Sequence, residues 1–346
     1  MTSRTIEALT AEAMGMLASG RRNEALIRLR QTAGQPGDDQ ARYAAGEALL
    51  RASECREGWD LYDLHPSRPV DTLPSVARWD GQHCRQLVVV AEQGFGDALQ
   101  FLRFMPAATA HADNVVFAVH DELLDVLRDA PALAGVTVLS KSAASVLEWP
   151  TDARWERLMS LPARLPGLAA APVEAYIAAP IPRRCGDASQ TVVGVAWRST
   201  PRRGFPNRSF PARLCHRLTR LAGVQVVAIQ RSRDIRSLPA GVHDPGIVDF
   251  TETAQVIAGC DVIVTADTVT AHLAPALGVP TMVCLRREPD WRWGTPTYPT
   301  SWYASARLLF QPAPERWSPV LQEAAACIAD GTLPTSSFTP PPGAPR

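Results

Sequence analysis

The sequence predicts an α/β protein: two Rossmann-like domains, each a parallel sheet with helices on both faces, behind a short helical cap. Three observations predict it. From Leu87 onward, short β-rich runs alternate with helical stretches. The alternation comes in two series, parted by the Pro-containing stretch 162–190. Before Leu87 the chain reads as helix. Strands that alternate with helices pair in parallel, and such sheets are buried on both faces.

The cap is expected over residues 1–66. Ala8, Leu9, Ala13 and Leu17, then Ala25, Leu26 and Leu29, fall at helical spacing. Gly20 and the Gly34–Asp38 stretch punctuate them. Ala18-Ser19-Gly20-Arg21-Arg22 recurs as Ala52-Ser53-Glu54-Cys55-Arg56, 34 residues on. That period is the one of tetratricopeptide (TPR) helix pairs. Gly58, Trp59 and Tyr62 then sit where the second helix of a pair packs. Two repeats fall short of the usual three, so the segment is expected to lean on the next domain. A plain helical extension is the other reading.

The first Rossmann-like domain is expected over 67–185, with strands at 87–91, 115–119 and 136–139 and helices at 97–110 and 121–129. The second is expected over 186–335. Its strands are placed at 192–197, 224–229, 247–249, 261–266 and 281–285, its helices near 210–221, 252–258 and 268–277. A Pro-rich tail, 336–346, reads as disordered. The cleft between the two domains is the expected ligand site.

Composition narrows the function. The 35 basic and 35 acidic residues cancel, which argues against a general nucleic-acid binder. Lys141 is the only lysine, so there is no P-loop Gly-Lys-Ser/Thr, and Schiff-base chemistry would rest on one residue in an unremarkable stretch. Seven cysteines form no CxxC pair, which suits reduced thiols rather than a disulfide frame or a zinc site. The polar N-terminus does not read as a signal peptide, and no apolar run approaches the ~18–20 residues of a membrane span. A cytoplasmic protein without an integral membrane segment is expected.

Asp261-Val262-Ile263-Val264-Thr265-Ala266 suits a buried parallel strand, followed by Asp267, Thr268 and a helix ending near Gly278. Ligands bind beyond such strand ends, and a helix N-terminus there suits a diphosphate. Asp267 suits sugar or ribose hydroxyls. Thr268 and Thr270, with Val269 between them, suit phosphate oxygens, and His272 phosphate or sugar. The competing reading is that Asp267 or Thr268 caps the helix and His272 is packed. Gln230, at the end of strand 224–229, is placed to read a base or ribose. In the first domain Glu92-Gln93-Gly94-Phe95-Gly96-Asp97 follows the strand 87–91. Gly94 and Gly96 permit a tight turn. Leu99 stands where a dinucleotide fingerprint needs its third glycine, so NAD binding is disfavoured.

These residues resemble the heptosyltransferase-like glycosyltransferases (glycosyltransferase family 9), in particular their bacterial TPR-linked branch. The carriers are Asp249-Phe250-Thr251-Glu252-Thr253-Ala254, Asp261 to His272, Gly278-Val279-Pro280, Pro289-Asp290-Trp291-Arg292-Trp293, Ser301-Trp302-Tyr303 and Arg307 to Gln311. Upstream, Gly194 to Arg198, Arg208-Ser209 and the Gly96-Asp97 turn are similar too, as are Trp79-Asp80-Gly81 and Gly58-Trp59. The resemblance implies the two-domain GT-B arrangement, with the donor nucleotide on the C-terminal half. It implies Arg198, Arg208, Ser209 and Trp291 on the donor side, joining Asp267, Thr268, Val269, Thr270, His272 and Gln230. It implies Asp97 as general base, with Glu92 a second candidate carboxylate and Gln93, Gly94 and Gly96 beside the acceptor.

An inverting transfer needs such a base on the acceptor hydroxyl and positive charge around the departing diphosphate. No Asp-x-Asp triplet occurs, so the usual metal–diphosphate clamp is missing and a metal-independent reaction is expected. The sugar nucleotide is the co-substrate and no cofactor is expected. The acceptor is a protein or a glycan, and the N-terminal helices are a candidate surface for a protein partner. The sequence departs from the family at Pro275 inside the donor helix, at Arg286-Arg287-Glu288, at Ala266 and Thr270, and at Ser301. Those departures leave open a sugar-nucleotide-binding scaffold without activity. A sugar-nucleotide epimerase is the third reading.

Overall fold

The structure, a computed structural model, describes residues 3–33, 39–53, 55–64, 76–165, 174–178, 180–200, 206–231, 238–300 and 302–334. The Gly34–Asp38 punctuation, Glu54 of the repeat, the boundary at 66–67, Arg202, Arg203, Ser301 and the tail 336–346 lie outside the described residues.

The chain opens with helices α1 (Ser3–Ala18), α2 (Arg22–Ala33), α3 (Asp39–Arg51) and α4 (Cys55–Tyr62). α1 packs on α2 and α3 on α4, and the pairs stack through α3. Each pair turns at a left-handed residue, Gly20 (φ 81°) and Ser53 (φ 63°). Ala13, Leu17, Ala25, Leu26 and Leu29 fill the core of the stack, as their spacing predicts, whereas Ala8 is exposed. Two mid-helix glycines let α3 and α4 touch. A methyl at Gly46 would come within 2.8 Å of Leu61 Cβ, and one at Gly58 within 2.7 Å of Leu50 Cγ. Close approach explains why glycine is kept there despite its cost of roughly 1 kcal/mol in a helix.

The first sheet contains β1 (Ala77–Arg78), β2 (Cys84–Val90), β3 (Ala112–Val119), β4 (Thr137–Ser140) and β5 (Arg154–Arg157). The strands lie in the order β1-β5-β2-β3-β4, all parallel. Along β2 and β3 the side chains alternate between two cores: Leu87, Val89, Val115 and Phe117 on one face, Val88, Val90, Val116 and Ala118 on the other. Hence these strands read as continuous apolar runs. Their helices are α5 (Phe95–Phe101), α6 (Met105–Thr109), α7 (Leu124–Leu127), α8 (Lys141–Ala144) and α9 (Leu161–Arg164).

β5 was not expected, because Arg154-Trp155-Glu156-Arg157 carries three charges in four residues. The structure shows how it is accommodated. The fully buried Glu156 accepts from Arg78 Nε (3.0 Å) and Arg164 Nε (2.7 Å). Both arginines also bond Asp63, just beyond α4, at 2.9 and 2.8 Å. Buried carboxylates matched to arginines satisfy the rule that desolvated charge must be paired. The same network fastens the helical cap to the first sheet.

The second sheet contains β6 (Thr191–Ala196), β7 (Val224–Ala228), β8 (Val242–His243), β9 (Val262–Ala266), β10 (Thr281–Leu285) and β11 (Ala306–Phe310). Its order is β11-β10-β9-β6-β7-β8, again all parallel. Its helices are α10 (His216–Thr219), α11 (Phe250–Ala258), α12 (Thr270–Ala276) and α13 (Trp317–Ala329). The strand expected at 247–249 is instead β8, five residues earlier. Residues 248–249 are committed to capping α11: Asp249 accepts from Glu252 N (2.8 Å), and Glu252 accepts from Val248 N (2.9 Å). β11 and α13 extend the series beyond the predicted elements.

β2 is flanked by β3 and β5, and β6 by β7 and β9. The chain direction around each sheet therefore reverses beside β2 and beside β6, the points at which open α/β sheets take their ligands. No helix among the described residues is long and apolar enough to cross a membrane.

Candidate active site

At the end of β2 the chain turns through Glu92, Gln93 and Gly94 into α5. Gln93 is the left-handed residue (φ 61°), and neither Gly94 (φ −98°) nor Gly96 has a positive φ. The tight-turn reading of the two glycines is thus corrected: the strained backbone falls on exposed Gln93, at a cost of roughly 1–2 kcal/mol. Gly96 serves proximity, since a methyl there would lie 2.8 Å from His272 Cδ2 of the other half. Asp97 sits in the first turn of α5, where its Oδ2 accepts from Gly94 N at 2.8 Å. Glu92 is buried and points back toward the turn after β5, accepting from Met159 N at 3.4 Å.

On the other half, Asp267 follows β9 and is buried. Burial raises its carboxyl above the usual range against the opposing pull of Arg208, whose Nη1 lies 3.4 Å from Oδ2. Thr268 Oγ1 lies 3.3 Å from Thr265 Oγ1 and accepts from Thr270 N at 3.3 Å. The helix accordingly begins at Thr270, two residues later than expected, with half-buried Val269 as its cap and Thr270 buried. Pro275 lies in the last turn, one residue from the helix end. Gly278 (φ 82°) closes that end, with Gly278 N donating to Pro275 O (3.0 Å) and Val279 N to Ala274 O (3.0 Å).

Beyond β6, Trp197 N and Arg198 N both donate to Gln230 Oε1 at 3.1 Å. Gln230, expected to read a base or ribose, thereby ties down the turn after β6 with its side-chain oxygen. Arg198 is exposed. Ser209 Oγ accepts from Ser199 N (2.9 Å), and Ser199 Oγ from Arg208 N (3.3 Å). This lacing carries Arg208 over to Asp267.

The two halves meet at a residue that sequence reasoning missed. Arg292 lies in a 3-10 turn, Trp291–Trp293, and is nearly buried. Its Nη1 donates to Asp290 Oδ1 (2.8 Å) and its Nη2 to Asp97 Oδ1 (2.5 Å). Burial alone would raise Asp290, yet Arg292 holds that carboxyl below its usual range. The signal for Arg292 was present as an arginine between two tryptophans, two residues after an aspartate.

Trp291 is corrected from donor-side residue to packing residue. It is 2% exposed, with ring contacts to Trp59 (5.4 Å) and Tyr62 (5.2 Å) of the cap, and the Arg292 guanidinium lies 4.6 Å from its centre. His272 is packed as well. It stacks on Trp293 (5.1 Å, 20°), abuts Gly96, and its Nδ1 lies 2.9 Å from Tyr303 Oη. Burial first, then Arg292 and Arg103, hold its imidazole well below the ordinary value, so it is neutral. Arg103 in turn lies 4.5 Å over the Tyr303 ring and donates to Trp302 O.

The structure thus brings Asp97, His272 and Asp267 around Arg292, with Gly96 against His272 and Arg208 against Asp267, and leaves Glu92 and Trp291 packed. The carboxylate of Asp97 pairs with the Arg292 guanidinium of the other half, and the carboxylate of Asp267 with that of Arg208. Each Asp97 oxygen keeps a lone pair beyond its bond to Arg292 or Gly94.

No family model matches the sequence. Protein FlbA of Caulobacter vibrioides is 23% identical over 337 residues, covering 86% of this chain and 56% of FlbA. The chain therefore spans about half the length of that curated relative. Similar solved structures include a glycosyl transferase family 9 protein of Veillonella parvula (12% identity, 74% of this chain and 98% of that one, TM-score 0.48). They include the E. coli heptosyltransferase WaaC with ADP (14%, 71% and 99%, 0.48). A third is the dodecameric glycosyltransferase TibC of enterotoxigenic E. coli (14%, 72% and 76%, 0.49). All three are glycosyltransferases.

Proposed function

We propose that this chain is a heptosyltransferase-like glycosyltransferase that moves a sugar from a nucleoside-diphosphate donor to a hydroxyl of a protein or glycan. The reading takes 67–185 as the acceptor domain and 186–335 as the donor domain, working in the cytoplasm, with the sugar nucleotide as co-substrate. The N-terminal helices are taken as a TPR-like cap that also offers a surface to a protein partner. One observation carries it: Asp97, at the reversal point of the first sheet, pairs with Arg292 of the other half, and Arg208 pairs with Asp267 at the reversal point of the second.

In this reading the acceptor oxygen attacks the anomeric carbon from the Asp97 side. Its proton passes to the carboxylate of Asp97 as the new C–O bond forms. The bond from the anomeric carbon to the diphosphate oxygen breaks, and its electron pair leaves with the diphosphate. Arg208 and Arg198 stabilise that charge, while Asp267 and Thr268 hold hydroxyls and phosphate. Attack opposite the leaving group inverts the anomeric centre, and arginines in place of a metal carry the charge.

A second reading, a sugar-nucleotide-binding scaffold without turnover, is favoured by the contacts of His272 with Gly96 and Arg292 with Asp97, which hold the halves together. A thermal-shift screen with ADP-, UDP-, GDP- and CMP-sugars separates the two. A donor at 100 times its dissociation constant stabilises by about 2.7 kcal/mol. Donors that bind are then followed by mass spectrometry with acceptor present. Transfer supports the proposal, binding without transfer supports the scaffold, and neither binding nor turnover with any donor sinks both. Release of an epimer without acceptor would indicate an epimerase.

A further inference from the structure

Arg51 ends helix α3 of the cap, and its side chain reaches the donor half. Its Nη1 donates to Pro289 O at 2.8 Å and to Gly294 O at 3.3 Å. Those two carbonyls bracket the turn that carries Arg292. At its far end the turn is closed by Gly294 (φ 70°), where a methyl would strike Tyr298 O. Within it, Arg292 bonds Asp290 on one side and Asp97 on the other. Asp97 in turn receives Gly94 N. A continuous series of bonds therefore runs from the cap to the carboxylate at the cleft. Trp59 and Tyr62 of the cap press on Trp291, fixing the same turn from the side.

A guanidinium shared by two carbonyls sets the separation of a turn's ends, because its donors are rigid. Arg51 is itself desolvated, and burial works to lower its ionisation while Asp290 and Glu47 oppose that. A cation kept in such a place must be bonded well.

We propose that Arg51 is a positioning residue: by holding Pro289 and Gly294 it places Arg292, and through Arg292 it sets the carboxylate of Asp97. The cap is then a working part of the site rather than only an appended partner surface. The inference rests on the glycosyl-transfer reading for its kinetic consequence and on the bond series alone for its structural one.

Two measurements on the full chain test it. In Arg51→Gln, turnover of the donor found by the screen falls about tenfold or more while its KM stays within about twofold, as misplacement of a catalytic group predicts. Hydrogen exchange at the Gly94 amide and across 289–294 speeds up several-fold. Arg51→Lys, which keeps the charge but replaces the planar guanidinium Nη1 that bonds both carbonyls by an ammonium on a shorter side chain, recovers part of both. Tyr298→Phe, which removes the bond from Tyr298 Oη to Gly20 O in another cap contact, leaves both as in the wild type. Unchanged Gly94 exchange in Arg51→Gln overturns the proposal, as does a matching effect of Tyr298→Phe. If Arg51→Gln does not fold, Arg51→Lys decides: intermediate values support the proposal and wild-type values overturn it. A wild-type chain without turnover would sink the transferase reading, while exchange would still decide the coupling.

Discussion

Asp97 of the first half and Arg292 of the second form an ion pair of 2.5 Å across the cleft, with side chains 21% and 9% exposed. The same carboxylate is the proposed base and the tie between the sheets. Its two tasks can be separated by substitution.

Asp97→Asn keeps the shape and an oxygen for Gly94 N, but removes the proton acceptor. Transfer is expected to fall ~10²–10⁴-fold, the usual worth of a general base. The donor-induced thermal shift is retained. Unchanged turnover would take Asp97 out of the mechanism.

Arg292→Met leaves the partly exposed carboxylates of Asp290 and Asp97 without their shared, buried cation, so the cost of a fully buried pair is an upper bound. Breaking one side of a buried ion pair costs ~3–5 kcal/mol, to be read from urea unfolding. A loss under about 1 kcal/mol would mean that water screens the pair as it does an exposed one.

Gly96→Ala drives a methyl toward His272 Cδ2 and is expected to cost ~1–3 kcal/mol by overpacking. In a His272→Ala background the cost shrinks, giving a coupling of ~0.5–3 kcal/mol in a double-mutant cycle. Additive costs would show that the two halves do not press together there.

The depressed imidazole of His272 makes stability depend on pH. As pH falls through the ordinary value of 6.5, the unfolded chain takes up a proton that the folded chain refuses. The contribution of this group is therefore flat above 6.5 and declines below it, by at most about 1.4 kcal/mol per pH unit. His120, depressed by burial and Lys141, adds in the same direction. Unfolding of His272→Gln at several pH values from about 7 to 5 is expected to show a shallower decline. The wild-type slope in that variant would mean that His272 protonates within the fold.

Much of the fold was legible because apolar strands of a parallel sheet are buried on both faces, and runs such as Val262–Ala266 have little else they can be. The paired helices of the cap were legible from spacing. β5 was not, since the burial of Glu156 depends on Arg78, Asp63 and Arg164 arriving from elsewhere in the chain. Among candidate site residues, Asp97, Asp267 and Arg208 were named from strand ends and resemblance, and their roles stay proposals. Trp291 was misplaced because a tryptophan looks alike in sequence whether it faces a ligand or a core.

By itself the sequence determined two parallel sheets, their helical preface, and the strand ends at which ligand binding is proposed. Those follow from local periodicity and turn chemistry, which act over a few residues. Only the tertiary structure decided that Gly96 makes room for His272, that Arg292 joins Asp97 to Asp290, and that Arg51 supports that turn. These contacts link residues far apart in the chain, and no local pattern records which buried charge will meet which.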